Sequence, residues 1–284
     1  MGLGVAQALL AKRFEVFVHD IVAARQARAA NLGAVACGSA AEVARRCAIV
    51  ITLVVDAPQT RAVLFGPAGA ASAMAQSSSV MMCSTIAPAD AQALAARLAE
   101  AGVPMLDAPI SGGPARAQAG TLSVMASGSD AAFERCAGVL DAMAAKQFRV
   151  GTAPGDGSRM KVVNNMLAAA NLAAGCEALA LAARLGLDLR QVREVVNASS
   201  GASWIFTDRM SRALEGDYEP RAAARVLTKD VGLFVDAARA LGVEAPMARC
   251  ALEVFGDTVA RGYGEEDDAA VLKRYADDYG VKLD

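Results

Sequence analysis

The chain has a single histidine, His19, and its six cysteines (Cys37, Cys47, Cys83, Cys136, Cys176 and Cys250) stand far apart, with no C-x-x-C pair among them. Nothing here supplies the closely spaced ligands of a structural zinc site, so no metal is expected. The cysteines read as small buried residues of a reducing compartment, the cytoplasm, rather than as a disulfide framework. Basic runs are also missing. With a formal net charge of −2 and no Lys/Arg cluster, the sequence offers little electrostatic footprint to nucleic acid or an anionic membrane. No signal peptide is recognisable. The longest apolar run, "MLAAANLAAGCEALALAARLGL", is broken by Asn171, Glu177 and Arg184 and reads as a buried helix rather than a membrane span.

What is present is ample apolar matter: 55% of 284 residues are hydrophobic, enough for two domains or one large one. Up to about residue 150, strand-like runs ("FEVFVHD", "CAIVITLVV", "SSVMMCST", "PMLDAP", "TLSVMASG") alternate with helical patterns near residues 22–32, 58–75, 88–101 and 130–145. Such alternation predicts a mostly parallel sheet, and continuous apolar strands such as "AIVITLVV" predict that it is covered on both faces. After "FRVGTAPGDGSRMK" the strands stop and helices follow. The expected domains are residues 1–152, α/β, and 153–284, all-α.

The opening "MGLGVAQALLAKRFEVFVHD" reads as a helix followed by a strand ending on an acid, Asp20, eighteen positions after Gly2. That is the second half of a βαβ unit of the dinucleotide-binding kind, in which an acid about 20 residues on bonds the ribose hydroxyls. The first strand and the G-x-G part of its turn have no counterpart here. The expectation is that they are encoded upstream of Met1; a truly shortened chain would bind NAD poorly.

Two stretches carry chemistry. "DAPISGGPA" (Asp107–Ala115) runs a strand into Ser-Gly-Gly, exposing backbone N–H groups and a hydroxyl suited to a carboxylate, though a tight turn asks for the same glycines. "GDGSRMKVVNN" opens a helix on which Lys161, Asn164 and Asn165 share a face at i, i+3 and i+4. A solvated helix start would look similar. The apolar continuation of this helix argues instead for a lysine with work to do, and a lysine beside a helix N-terminus is favoured in the neutral form that a general base requires.

These stretches, with "MG" at Met1–Gly2, "STI" at Ser84–Ile86 and "KDVGL" from Lys229, resemble the β-hydroxyacid dehydrogenases across essentially the whole chain. That family includes 3-hydroxyisobutyrate dehydrogenase, 2-hydroxy-3-oxopropionate reductase and L-threonate dehydrogenase. The resemblance implies a Rossmann-type α/β domain, its first strand missing here, followed by an all-α domain that dimerises, in a homodimer or homotetramer. It implies Lys161 as catalytic acid/base, Asn165 orienting it or the substrate, and Ser111, Gly112, Gly113 and Asn164 binding a small hydroxy acid. Gly2, Asp20, Val54, Val55, Gln59, Thr85 and Lys229 would hold the cofactor, and Asp20 would favour NAD over NADP. The family often has proline at Val55 and an aromatic at Leu227.

Segments such as "SSGASWIFTDRM" and "GDYEPRAAARVLTKDVGL" are most similar to L-threonate dehydrogenases, whereas the Asn164–Asn165 pair is that of 3-hydroxyisobutyrate dehydrogenase. The implied activity is NAD-dependent oxidation of a short β-hydroxy acid of either kind. The alternatives are a 2-hydroxy-3-oxopropionate reductase and, given the missing strand, a cofactor-free scaffold; imine reduction is disfavoured because such relatives usually lack this lysine. Trp204 reads equally as pocket lining or packing anchor, and Arg209 and Arg225 could read the hydroxyls of a polar substrate, although exposed helix arginines are the commoner outcome.

Overall fold

In a computed structural model of the chain, which describes residues 1–283, the apolar runs of the first half become strands of a covered sheet. The unit Met1–Lys161 begins with α1 (Gly2–Ala11), β1 (Phe17–Val18), α2 (Ala23–Asn31), β2 (Val35–Ala36) and α3 (Ala40–Arg46). It continues through β3 (Ile49–Thr52), α4 (Ala57–Phe65), β4 (Ser79–Met82), α5 (Pro88–Glu100), β5 (Met105–Asp107), β6 (Ile110–Ser111), α6 (Gly113–Gln118), β7 (Leu122–Ser127), α7 (Asp130–Met143) and β8 (Ala144–Gly151). Side chains fix several helix starts: Ser39, Asp56 and Ser129 each accept a backbone N–H three residues on.

The sheet comes in two pieces. β1 pairs only with β2, in parallel, while β3, β4 and β5 run parallel in a separate six-stranded sheet. β5 and β6, interrupted at Ala108–Pro109, both pair antiparallel with β7, whose other edge takes β8 in parallel. In a doubly wound order the strand between β1 and β3 would join the pieces, and it is not among the described residues. The strand expected over residues 14–20 is confined to Phe17–Val18, the two residues that pair with β2.

β4 shows why the strands could be apolar throughout: all four of its residues are buried. Met81 joins Val5, Leu9, Leu106 and Leu122 on one face, and Val80 and Met82 join Val50, Leu64, Leu94 and Leu98 on the other. The helix expected over residues 58–75 stops at Phe65, because Gly66 turns the chain so that a Cβ there would meet the Ala62 carbonyl oxygen at 2.5 Å. A short 3-10 turn at Ala71–Ala73 follows.

From Val162 the second unit is helical. α8 (Asp156–Arg184) starts in the first unit and is followed by α9 (Leu189–Asn197), α10 (Trp204–Ala213), α11 (Ala224–Ala240), α12 (Pro246–Thr258) and α13 (Val271–Tyr279). The long apolar run lies in α8, whose Leu172, Cys176 and Leu179 pack with Phe206, Met210, Val231, Phe255 and Leu272 in one core. All six cysteines are free thiols; Cys37, Cys83, Cys136 and Cys176 are buried, but Cys250 is exposed.

Candidate functional site

The start of α8 is fastened to the sheet. Asp107, the last residue of β5, accepts from the Gly155 and Ser158 backbone N–H groups at 2.8 and 2.9 Å through one carboxylate oxygen and from the Ser158 hydroxyl at 2.9 Å through the other. Ser127, its register partner on β7, accepts from the Gly157 N–H at 2.9 Å. Burial pushes the Asp107 carboxyl above its ordinary value, against the hydrogen bonds from Ser158, Gly155 and Ser127 that favour the ion. Lys161 lies one turn beyond Ser158 and is 7% exposed, whereas Arg159 and Met160 are exposed.

The same "DAPISGG" segment that begins at Asp107 ends in the Ser-Gly-Gly turn. Ser111 closes β6 and is half-buried; Gly112 and Gly113 have φ of +131° and +75°, values that side-chain-bearing residues rarely adopt. A Cβ on Gly112 would also meet Arg116 Cδ at 2.8 Å. The glycines are therefore demanded by the turn, and a Ser-Gly-Gly turn is of the kind that can offer backbone N–H groups and a hydroxyl to an anion.

Beyond the ends of β3 and β4 a second set of expected residues meets. The Val54 N–H donates to the Ser84 hydroxyl at 3.0 Å, the Val55 N–H to Gln59 Oε1 at 3.1 Å, and the Gln59 N–H to Asp56 Oδ1 at 2.9 Å. Thr85 follows Ser84. At the end of β1, the Asp20 N–H donates to Gln26 Oε1 and Asp20 Oδ1 accepts from the Val22 N–H at 2.8 Å. A recess of about 390 Å³ opens there, lined by His19, Asp20, Gln26, Cys37 and Gly38 among others. α1 starts without a side-chain cap, and a Cβ on Gly2 would stand in open space; Gly4 is the glycine that packs tightly, against Ala117 and Gln118 of α6. An acid at a strand end beside an open recess suits the ribose of a nucleotide.

In the helical unit, Asn164 and Asn165 lie on α8 and Lys229 on α11, and a residue the sequence reading passed over joins them. Asp230, 4% exposed, accepts from Asn165 Nδ2 at 2.7 Å and from Lys229 Nζ at 2.6 Å, while Asn164 Nδ2 donates to Asn165 Oδ1 at 3.0 Å. A carboxylate inside an apolar helix pattern requires such partners, which was its signal in the sequence. Leu227 belongs to the helical core.

Arg209 corrects an expectation. It is 6% exposed and forks onto Asp268, with Asp208 also paired to it, so it is a buried structural arginine. Arg225 is half-exposed and paired with Glu265; Trp204 opens α10, 47% exposed.

Two family profiles match the chain: the NAD binding domain of 6-phosphogluconate dehydrogenase over residues 1–151, and the NAD-binding domain of NADP-dependent 3-hydroxyisobutyrate dehydrogenase over residues 155–275. The chain is 44% identical over 283 residues to L-threonate dehydrogenase of Cupriavidus necator, covering 100% of this chain and 94% of that protein. It is 43% identical over 279 residues to L-threonate dehydrogenase of Escherichia coli (strain K12), covering 97% and 92%. The crystal structure of 3-hydroxyisobutyrate dehydrogenase from Salmonella typhimurium superposes with a TM-score of 0.91 at 43% identity, over 96% of this chain and 95% of that one.

Proposed function

The chain belongs to the 3-hydroxyisobutyrate dehydrogenase-like family of NAD(P)-dependent oxidoreductases acting on CH–OH groups, and from that premise we propose that it oxidises a short β-hydroxy acid of the L-threonate kind, with NAD preferred and Lys161 as acid/base. The cofactor-free scaffold is set aside, because an NAD-binding profile matches residues 1–151.

Bound to the first unit, NAD(P)⁺ supplies the hydride acceptor. Gly2 at the start of α1, Asp20, the Val54–Val55–Gln59 loop and Thr85 would hold it there, and Lys229 is a further cofactor residue by the family resemblance. The chain's own residues do the rest. The Ser111 hydroxyl and the Gly112 and Gly113 N–H groups hold the substrate carboxylate, and Lys161 Nζ takes the proton from the substrate hydroxyl as the carbon is oxidised. Asn165, its amide fixed on one side by Asp230 and on the other by Asn164, orients the reacting groups.

The observation that carries this reading is the placement of Lys161: a lysine 7% exposed, one turn past a helix start bonded to the sheet, four residues before an asparagine itself held by a buried acid. Asp20 supports NAD, since a carboxylate at that strand end repels a 2′-phosphate. The exposed apolar side chains Val163, Leu167 and Leu181 along α8, with Leu185 just past its end, support a homo-oligomer in which a second copy covers them. A chain with all cysteines reduced fits the cytoplasm.

The test is formation of NAD(P)H from a panel comprising L-threonate, 3-hydroxyisobutyrate and glycerate. The reading predicts the highest kcat/KM with L-threonate. Turnover with none of the three would contradict it.

A further inference from the structure

A helix is usually capped by a residue just before it in the chain. The start of α8 is instead held from the sheet, by residues 48 and 51 positions away on one side and 30 on the other. Asp107 and Ser127 face each other across the antiparallel β5–β7 pair, so both side chains project from the same face of the sheet, onto one helix turn. Between them Gly157 sits so close that a Cβ would come within 2.6 Å of the Asp107 and Met125 carbonyl oxygens. The helix start is thus pinned in distance by backbone contact and in rotation by hydrogen bonds.

Lys161 stands three residues after Ser158 and four after Gly157, and therefore on the helix face that carries the clasp. We propose that Asp107 is a positioning residue for the oxidation, its carboxylate fixing the first turn of α8 so that Lys161 is presented at the height and rotation that proton transfer needs. This rests on the reading of Lys161 as acid/base. A neutral cap would satisfy the helix N–H groups without burying a charge, which is costly. What the carboxylate adds is a second oxygen, used on the Ser158 hydroxyl, so that both the backbone and the side chain of one residue are locked. The motif then has two tasks, since Asp107 sets the lysine and Ser111, four residues on, reaches for the substrate.

Asp107→Asn keeps the shape but removes the charge that strengthens the Gly155 and Ser158 N–H bonds, and it turns its amide group toward the Ser158 hydroxyl, which must then accept rather than donate. A displacement of about 1 Å costs on the order of 10²-fold in rate, so kcat per folded molecule is expected to fall by about 10²-fold. NAD affinity, measured by titration calorimetry, stays unchanged, and the segment 155–160 exchanges its amide hydrogens faster. Ser158→Ala, which leaves the ion and both backbone bonds in place, gives a smaller fall in kcat and decides the question if Asp107→Asn does not fold. Lys161→Ala is measured beside them. Full turnover in Lys161→Ala would overturn the acid/base reading and this proposal together. Collapse of Lys161→Ala alongside wild-type kcat in the folded clasp variants would overturn this proposal alone, as would unchanged amide exchange in folded Asp107→Asn.

Discussion

Asp230 accepts from Asn165 Nδ2 at 2.7 Å across 65 residues of chain, and its other oxygen pairs with Lys229 Nζ at 2.6 Å. One buried carboxylate thus sets an amide on α8 and an ammonium on α11. Hydrogen bonds to charged groups contribute about 1.5–3 kcal/mol, so Asp230→Ala is expected to lower kcat/KM by about 10- to 10²-fold. Asn165→Ala should give a loss of similar size, and the double variant little more, because the two act through one contact. Steady-state kinetics of the three variants check this, and fully additive losses would count against it.

Cofactor choice follows from Asp20. The carboxylate that suits a ribose diol repels a 2′-phosphate, so NAD should exceed NADP in kcat/KM, and Asp20→Ala should narrow the gap by about tenfold or more. Comparing both cofactors with both proteins is the check; a wild-type preference for NADP would remove the role assigned to Asp20.

The apolar stripe on α8 predicts self-association. Leu181 and Leu185 are 51% and 68% exposed in the single chain, and since fully burying an exposed leucine contributes about 1.5–3 kcal/mol, covering what remains open contributes roughly 1–2 kcal/mol each. Light scattering should find a dimer or larger assembly for the wild type and a smaller mass for Leu181→Asp. Equal masses for the two proteins would mean that this stripe is not the contact.

Burial pushes the Asp268 carboxyl up to about 6, with Asp267 adding to the shift and Arg209 opposing it. The unfolded chain releases the same proton near pH 4, so between about pH 4 and about pH 6 the folded protein binds more protons than the unfolded one. Stability from this group is therefore fully present below about pH 4 and is lost as pH rises to about pH 6, on the order of 1–3 kcal/mol in all. Urea unfolding of wild type and Asp268→Asn across that range reads it directly. The wild type's advantage should shrink with rising pH; growth of that advantage would show the carboxyl ionised throughout.

Residue type and local pattern made part of this legible in advance. β3, β4 and β7 were readable because both of their faces are covered, which leaves a continuous apolar run. β8 was not, since most of its residues are exposed and it becomes a strand by pairing with β7. Lys161, Asn165 and Ser111 stood out as polar residues in apolar or glycine-rich settings. Their supports, Asp107 and Asp230, act across 48 to 65 residues, a relationship that only the folded chain displays. Arg209 was misjudged for the same reason: its partner Asp268 lies 59 residues away, and pairing is what permits its burial.

The acid/base role of Lys161 is the centre of the account, and the kcat of Lys161→Ala tests it most directly. A positioned acid/base contributes about 10²- to 10⁴-fold, so the variant, folded as judged by circular dichroism and still binding NAD, should lose turnover by that factor. Retention of most of the wild-type kcat in the folded variant would contradict the account.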